Sequence, residues 1–258
     1  MTDDRKEEGG AKRVTVPYSL DDGPPEARIG LICLMTDLAT ERDFHRMLPD
    51  KGVMFYTARV RNVNPVTVEN LRMMGPYLSD AASQLLPDFR LDAIAYSCTS
   101  ATVAMGYGEV RNQIHAGRPA VPVVTPITAA VAAARSLGMK RLSMLTPYVD
   151  SVSEPMRAYL EHDGIEVLNV ASFGLESDVD MARIPPDAIH TAALETCRDD
   201  ADGLFISCTA LRAVEVIDAI ERTLNKPVIS SVQCLFWQSL REAGYGKFID
   251  GFGRLLRA

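Results

Sequence analysis

The sequence lacks any long apolar run. No window of its 258 residues approaches the roughly 20 uninterrupted apolar residues of a membrane span. It also lacks an excess of basic residues. The formal net charge is -7, and no cluster of lysine and arginine offers a surface for nucleic acid. We therefore expect neither a membrane nor a nucleic acid among the partners.

Cysteines are few and irregularly spaced. There are five, an odd number without the regular framework of a disulfide-rich secreted protein. Residues 1–27 are polar and contain no apolar segment of the kind found in a secretory signal. We expect a cytoplasmic protein whose first 27 residues form a flexible tail, or an arm that docks on a neighbouring subunit of a homo-oligomer.

Motifs for nucleotides and metals are missing as well. No G-x-G-x-x-G or P-loop pattern follows any apolar run. The histidines are scattered over predicted helices without the spacing of a metal site. They are His45, His115, His162 and His190. We expect no cofactor and no metal.

What the sequence does contain is a repeated stretch. Asp92 opens a short apolar run that ends in Ser-Cys-Thr, with Cys98 six positions after the aspartate. Asp202 and Cys208 repeat this arrangement, and a Pro-Val pair with an apolar helical pattern follows each copy. The agreement predicts an internally duplicated protein with one site between its halves.

Apolar runs alternate with helical patterns along the chain. The nearly continuous apolar run at 28–35 is typical of a strand buried on both faces. Helices are predicted at 66–86, from Cys98 towards His115 and at 211–224, and a loop at 173–183. Strands that alternate with helices predict parallel sheets.

Ligands of such sheets bind beyond the carboxyl ends of the strands. This rule selects Asp37, Cys98, Tyr148, Cys208 and the 174–183 loop. Each follows a predicted strand.

Both repeated cysteines are expected where a strand hands over to a helix. Free N–H groups and the helix dipole favour a thiolate there, and lower its pKa below about 8.5. With the hydroxyls of Thr99 and Ser100, these groups would hold a carboxylate or a developing oxyanion. Ser207 and Thr209 offer a similar setting around the second cysteine. The alternative is that cysteine is simply a small residue that packs well at such turns.

Several motifs together resemble the aspartate/glutamate racemase superfamily. They are the two Ser-Cys-Thr stretches, Arg28-Ile-Gly-Leu, Thr146-Pro-Tyr148 and Gly174 with Met181-Ala182-Arg183. The pattern is most similar to the branch of maleate cis-trans isomerases, arylmalonate decarboxylases and ectoine-utilisation proteins. It covers about Arg28 to Gly244.

The resemblance implies a fold of two Rossmann-like α/β lobes with parallel sheets. A pseudo-twofold axis relates the lobes, and the active site lies between them. Residues 28–130 with 233–258 would form the first lobe, and 131–232 the second. Members of this superfamily need no metal or organic cofactor.

The resemblance also implies roles for individual residues. Cys98 matches the nucleophile of the maleate isomerases and one proton-transfer group of the racemases. Cys208 matches the proton donor of the decarboxylases, which lack the first cysteine, so decarboxylation is disfavoured here. Thr99, Ser100 and Tyr148 match residues that bind the substrate carboxylate.

Two aspartates depart from the maleate isomerase pattern. Asp37, and in a less secure alignment Asp178, stand where those enzymes carry asparagine. An ionised aspartate accepts hydrogen bonds only, and it would repel maleate by about 1–4 kcal/mol at contact. An aspartate here suits a substrate with an ammonium group, or serves as a base for the neighbouring cysteine. The alternative for Asp37 is that it caps the helix that follows.

The sequence thus predicts an isomerase of a small carboxylate, which we expect to be a racemase of an amino acid or an ectoine-derived compound. Cys98 and Cys208 are its catalytic residues. Its predicted substrate-binding residues are Asp37, Thr99, Ser100, Tyr148, Asp178 and Thr209. The alternatives are a maleate-type cis-trans isomerase with Cys98 as nucleophile, an arylmalonate-type decarboxylase and a non-catalytic ligand-binding protein.

Overall fold

The computed structural model describes residues 14–21, 23 and 27–258. Most of the tail expected at residues 1–27 therefore lies outside the described residues, and the stretch 14–21 is exposed. No helix in the described part of the chain is long and apolar enough to cross a membrane.

Two four-stranded parallel sheets form the framework. The first contains β1 (Ala27–Leu34), β2 (Val53–Val60), β3 (Ala93–Tyr96) and β4 (Val123–Val124), in the order β2-β1-β3-β4. The second contains β5 (Arg141–Tyr148), β6 (Glu166–Leu175), β7 (Gly203–Ile206) and β8 (Val228–Ser230), in the order β6-β5-β7-β8. The equal strand order confirms the predicted α/β fold of two parallel-sheet lobes.

Helices alternate with these strands. The helices of the first half are α1 (Thr40–Met47), α2 (Val68–Arg72), α3 (Gly75–Ser83), α4 (Thr99–Met105), α5 (Tyr107–Gly117) and α6 (Pro126–Ser136). Those of the second half are α7 (Asp150–His162), α8 (Asp178–Met181), α9 (Pro186–Thr196), α10 (Ile217–Leu224) and α11 (Ser231–Glu242).

The two repeated aspartates bind backbone at the starts of strands. The Oδ2 atom of Asp92 accepts the N–H of Arg28 in β1 at 2.8 Å. The Oδ2 atom of Asp202 accepts the N–H groups of Lys140 and Arg141, both at 2.8 Å, where β5 begins. Each aspartate therefore ties together two neighbouring strands at their amino ends, and the cysteine six residues later lies at the opposite end of its strand.

The core is continuous between the two sheets. One cluster of buried side chains joins Ile32 of β1 to Leu145 of β5 and Ile206 of β7. The other joins Leu31 of β1 to Phe205 of β7. The stabilising free energy of apolar burial is proportional to the apolar area removed from water. The lobes therefore stabilise each other through these shared clusters.

Three of the predicted helices are interrupted. The helix predicted from Cys98 towards His115 is two helices, α4 and α5, because Gly106 between them has a φ of 85°. This left-handed conformation, which glycine adopts at little cost, ends the first helix. The helix predicted at 66–86 is divided into α2 and α3. The one predicted at 211–224 begins as a 3-10 turn and becomes α10 later.

The prediction of a loop at 173–183 is wrong at its beginning and in its middle, while 176–177 and 182–183 are irregular or turn. Strand β6 continues to Leu175, which pairs with Tyr148 after an irregularity in the register. The hydroxyl of Ser172 donates to the carbonyl of Tyr148 and so supports this extension. Helix α8 then occupies Asp178–Met181.

The last helix returns to the first sheet. Helix α11 contacts α1, α6 and β3, and the indole N–H of Trp237 donates to the carbonyl of the terminal Ala258 at 3.4 Å. These contacts support our proposal that 233–258 belongs with 28–130 in one lobe and that 131–232 forms the other.

Candidate active site

The carboxyl ends of both sheets meet at one pocket. The pocket is narrow, with a cavity volume of about 20 Å³. The lining residues are Leu34, Thr36, Asp37, Cys98, Ser100, Tyr148, Asp178, Cys208, Thr209 and Ala210. Every predicted site residue except Thr99 is among them. Among the described residues, the lining therefore contains two cysteines and two carboxyl groups and no lysine, arginine or histidine.

Cys98 lies between β3 and α4, as predicted. Its backbone is extended, with a φ of -147°, and its N–H donates to the carbonyl of Tyr96 at 3.0 Å. Its Sγ lies 3.7 Å from the hydroxyl oxygen of Ser100 and accepts a hydrogen bond from the N–H of Ala101. The first turn of α4 thus surrounds this sulfur with donors.

Cys208 has a different backbone. Its φ is 96°, in the region that L-residues rarely occupy. Its N–H donates to the hydroxyl oxygen of Ser231 at 2.9 Å, and its Sγ accepts the N–H of Ala210 at 3.3 Å. No α-helix begins here, since the next helical residues are those of the 3-10 turn that starts at Ala213. The prediction that Cys208 lies at a helix N-terminus is therefore wrong.

The prediction of a lowered thiol pKa is also wrong. Burial raises the pKa of Cys98 to about 12, although hydrogen bonds from Ala101, Ser100 and Tyr96 act in the opposite direction. Burial likewise raises the pKa of Cys208 to about 12, against the hydrogen bonds from Tyr148 and Ala210. Removal from water disfavours a thiolate more than these donors favour it. Both thiols are protonated at neutral pH.

Buried hydroxyl groups surround the two sulfurs. Tyr148 is 3% exposed and lies at the end of β5. Its hydroxyl hydrogen-bonds to Cys208 and Ser100, and burial raises its pKa well above 10, so it is a neutral donor. Tyr96 of β3 is fully buried, its hydroxyl donates to the Sδ atom of Met74 at 3.9 Å, and it also lies beside the Cys98 thiol. Each cysteine therefore has a buried tyrosine hydroxyl from its own lobe beside it.

Asp37 lines the pocket and also caps α1. Its Oδ1 accepts the N–H groups of Ala39 and Thr40, at 2.9 and 2.8 Å. Its Oδ2 accepts the hydroxyl of Thr40 at 2.6 Å. Both oxygens are thus engaged within the protein, which is the capping role considered as the alternative.

Asp178 begins α8 and bonds across to the first lobe. Its Oδ2 accepts the amide group of Asn62 at 2.8 Å and the hydroxyl of Thr36 at 3.2 Å. Burial raises the pKa of the Asp178 carboxyl, nearby Asp37 raises it further, and these two hydrogen bonds lower it. Asp178 therefore stays protonated to a higher pH than an exposed aspartate.

The two predicted threonines bond across the lobes. The hydroxyl of Thr99 is buried outside the pocket lining and donates to Ser231 at 2.9 Å. Thr209 lines the pocket, and its hydroxyl donates to the carbonyl of Ser97 at 3.2 Å. Each threonine thus joins one repeat to the other half of the chain.

The comparisons identify the family. The model of the arylmalonate decarboxylase family matches residues 79–256, more than half of the chain. The chain belongs to the arylmalonate decarboxylase family. The expected branch is thereby confirmed, while kinship with ectoine-utilisation proteins stays a prediction.

The chain is similar to two kinds of protein in this family, maleate isomerases and an arylmalonate decarboxylase. A maleate isomerase of Alcaligenes faecalis is 25% identical over 246 residues, which are 89% of this chain and 96% of the relative. An arylmalonate decarboxylase of Bordetella bronchiseptica is 33% identical over 138 residues, 52% of this chain and 58% of the relative. The crystal structure of a variant of the maleate isomerase Iso from Pseudomonas putida S16 with maleate has a TM-score of 0.81. It is 26% identical and covers 89% of this chain and 97% of its own.

Four residues of this site were not predicted from the sequence. They are Thr36, Asn62, Tyr96 and Ser231. Thr36 and Asn62 bond to Asp178, Tyr96 lies beside Cys98, and Ser231 bonds to both repeats. Tyr96 stands two positions before Cys98 in the repeat, so its position in the sequence could have suggested it. The others come from distant parts of the chain and carry no motif.

Metal ligation has no support in the described residues. Among them no group of three or more histidine, cysteine, aspartate or glutamate side chains could hold a metal ion.

Proposed function

We propose that the protein is a cofactor-independent cis-trans isomerase of a small unsaturated dicarboxylate of the maleate class. The observation that carries this proposal is the pair of buried thiols, one from each lobe, on one small pocket. The curated relatives that align over almost their whole length, such as that of Alcaligenes faecalis, are maleate isomerases. That agreement over both lobes is the second support.

The chemistry begins at Cys98. Its thiol first loses its proton to solvent, since burial keeps it protonated in the free protein. The thiolate then adds to one carbon of the double bond, and the π electrons move onto the adjacent carbon and its carboxylate. Rotation about the resulting single bond and return of the electron pair expel the thiolate and leave the trans isomer. The thiol regains a proton from solvent after elimination. No atom or electron is gained or lost.

Cys208 serves the intermediate as a proton donor. A charge on Cys98 raises the pKa of Cys208, so the reacting pair consists of one thiolate and one thiol. The thiol of Cys208 shares its proton with the carbanion and takes it back before elimination. The hydroxyls of Ser100 and Tyr148 stabilise the negative charge on the carboxylate.

The charge of Asp178 decides how a dicarboxylate binds. Burial raises the pKa of the Asp178 carboxyl, and when this group is protonated its second oxygen can donate to a substrate carboxylate. A protonated Asp178 removes its own share of the repulsion that argued against maleate, and both oxygens of Asp37 are held by the donors at the start of α1. The proposal therefore depends on the protonation of one side chain.

A second candidate is racemisation of an amino acid or an ectoine-derived compound. The observation that favours it is that the lining, in the part of the chain that the structure describes, has two carboxyl groups and no basic side chain. An ionised Asp178 would bind an ammonium group, while the thiolate of one cysteine removes the α-proton and the thiol of the other delivers a proton to the opposite face. Decarboxylation and ligand binding without catalysis are the remaining alternatives. In each case we propose a small carboxylate as ligand and a cytoplasmic homo-oligomer.

Proton NMR in heavy water separates these functions. The purified protein is incubated with maleate, a panel of amino acids and ectoine-derived compounds. Maleate converted to fumarate supports the proposal. Loss of an α-proton signal that depends on both Cys98 and Cys208 would replace it by racemisation. Loss of a carboxyl group would indicate a decarboxylase, and binding without turnover a non-catalytic protein.

A further inference from the structure

The two repeats differ in the residue that opens the next helix. Ile94 of β3 pairs with Val123 of β4, and Leu204 of β7 pairs with Val228 of β8. This register makes the first residue of α6, which is proline, the counterpart of Ser231, the first residue of α11. One half therefore has a hydroxyl group where the other half has none.

That hydroxyl lies against the second cysteine. The Oγ atom of Ser231 accepts the N–H of Cys208 at 2.9 Å, whereas the N–H of Cys98 donates to the carbonyl of Tyr96 at 3.0 Å. The φ angles of the cysteines differ accordingly, 96° for Cys208 and -147° for Cys98. A positive φ in a residue with a Cβ is strained and persists only where its surroundings hold it.

Ser231 also reaches the first repeat. It is fully buried, and its Oγ accepts the hydroxyl of Thr99 at 2.9 Å, next to Cys98 in the chain. One oxygen atom thus joins the turn of the first cysteine to the backbone of the second. A buried N–H without an acceptor is costly, so removal of this oxygen would leave the turn at Cys208 unsupported.

We propose that Ser231 is a positioning residue that holds Cys208 in its strained conformation and thereby makes the two thiols unequal in reactivity. The inference rests on the proposed function only in taking both thiols as the reacting groups. In the strained turn the Sγ of Cys208 accepts the N–H of Ala210 at 3.3 Å, a bond that stabilises its thiolate. Relaxation of the turn removes this bond and disfavours the thiolate, which makes the Cys208 thiol a weaker acid and a poorer proton donor to the proposed intermediate.

The test is the rate of alkylation of each thiol, which needs no substrate. Iodoacetamide is added to the full-length protein between pH 7 and 10, and peptide mass spectrometry follows Cys98 and Cys208 separately. In S231A we expect the ratio of the Cys208 rate to the Cys98 rate to fall about tenfold, as for a rise of one unit in thiol pKa. S231T retains the hydroxyl, so we expect it to keep the wild-type ratio. S231P introduces the proline that the first half has at the equivalent position. Proline is tolerated at the first residue of a helix, so we expect S231P to behave as S231A does.

The matched control is S239A. Ser239 is another fully buried serine of α11, and its hydroxyl donates to the carbonyl of Leu235 at 2.7 Å, away from both cysteines. We expect an unchanged ratio. An unchanged ratio in S231A or S231P, or an equal fall in S239A, would overturn the proposal. A protein that isomerises nothing still gives these rates, so failure of the proposed function is seen separately.

Discussion

At the scale of single residues, the chemistry depends on what surrounds each sulfur. Cys98 and Cys208 occupy equivalent positions in the sequence repeat. In the structure one is extended and has a helix turn beside it, and the other has a positive φ and lies on a turn. Burial raises the pKa of both to about 12. Their local hydrogen bonds therefore decide which one reacts as thiolate.

We predict unequal effects from removing the two thiols. Cys98→Ala should abolish the conversion of maleate to fumarate, because no nucleophile remains, and intact-mass spectrometry should show no covalent adduct. Cys208→Ala should retain addition but slow turnover by about 10²–10⁴, the usual contribution of a positioned proton donor. Full activity in Cys98→Ala would contradict the nucleophilic mechanism. Cys33→Ala, at a buried cysteine outside the pocket lining, serves as the control.

We predict that Asp178 gives substrate binding its pH dependence. If the neutral acid binds a dicarboxylate, the KM for maleate rises as the pH rises through the raised pKa of Asp178. Asp178→Asn keeps a donor at this position and should remove the dependence. Steady-state kinetics over a pH series measures it, with Asp180→Asn, an exposed neighbour in α8, as the matched control. A lower affinity for maleate in Asp178→Asn at every pH would count against a protonated Asp178.

At the scale of secondary-structure elements, helix α1 connects the pocket to the lobe interface. Asp37 caps its first turn. Arg42 in the middle of the helix forms an ion pair at 2.7 Å with Glu215 of the second lobe. Asp43 beside it is fully buried, and its carboxylate oxygens have no hydrogen-bond partner among the described residues, with the Arg42 guanidinium 3.5 Å from Oδ1 as their ionic contact. A group of this kind makes the stability of the element depend on pH.

We predict that Asp43 destabilises the protein as the pH rises. Burial raises the pKa of Asp43 from 3.8 to about 7. Because the folded-state pKa is the higher one, its stabilising contribution is complete below about pH 4 and is lost as the pH rises to about 7. The loss is at most about 4 kcal/mol at 1.36 kcal/mol per pKa unit. Asp43→Asn should therefore exceed the wild type in stability at pH 8 and show a flatter pH dependence.

Urea unfolding at pH 5 and pH 8 measures this effect. Asp50→Asn, at an exposed site just beyond α1, is the control and should keep the wild-type pH dependence. Equal slopes for the wild type and Asp43→Asn would show that the carboxyl finds water or a partner when ionised.

At the scale of the whole molecule, the two lobes act as one unit. Both buried clusters draw on both sheets, and the pocket takes lining residues from each lobe. The segment before α8 adds a backbone bond, in which the N–H of Val66 donates to the carbonyl of Glu176 at 2.7 Å. Neither lobe retains a complete site without the other.

We predict a single cooperative unfolding transition. Trp237 is the one tryptophan of the sequence and lies in α11, which packs on the first sheet. Its fluorescence should change at the same urea concentration as the far-UV circular dichroism, which reports both lobes. Two separated midpoints would mean that the lobes unfold independently.

Local sequence determined the elements and much of the site. Continuous apolar runs specify strands buried on both faces. Strand ends specify where ligands bind in a parallel sheet, and this rule selected Asp37, Cys98, Tyr148 and Cys208. The repeat specified two lobes of the same plan because equal patterns of burial fold alike. The breaks within the helices were not predicted, because a single glycine such as Gly106 does not change the helical spacing of the apolar residues around it.

Only the tertiary structure decided the state of those residues. The raised thiol pKa arises from burial by both lobes, which no local pattern contains. The partners of Asp178 lie more than a hundred positions away in the chain, at Thr36 and Asn62. Ser231 meets Cys208 because two strands pair in a particular register. The sequence therefore names the reacting groups, while long-range packing sets their charge and conformation, because desolvation and hydrogen bonding depend on distance in space.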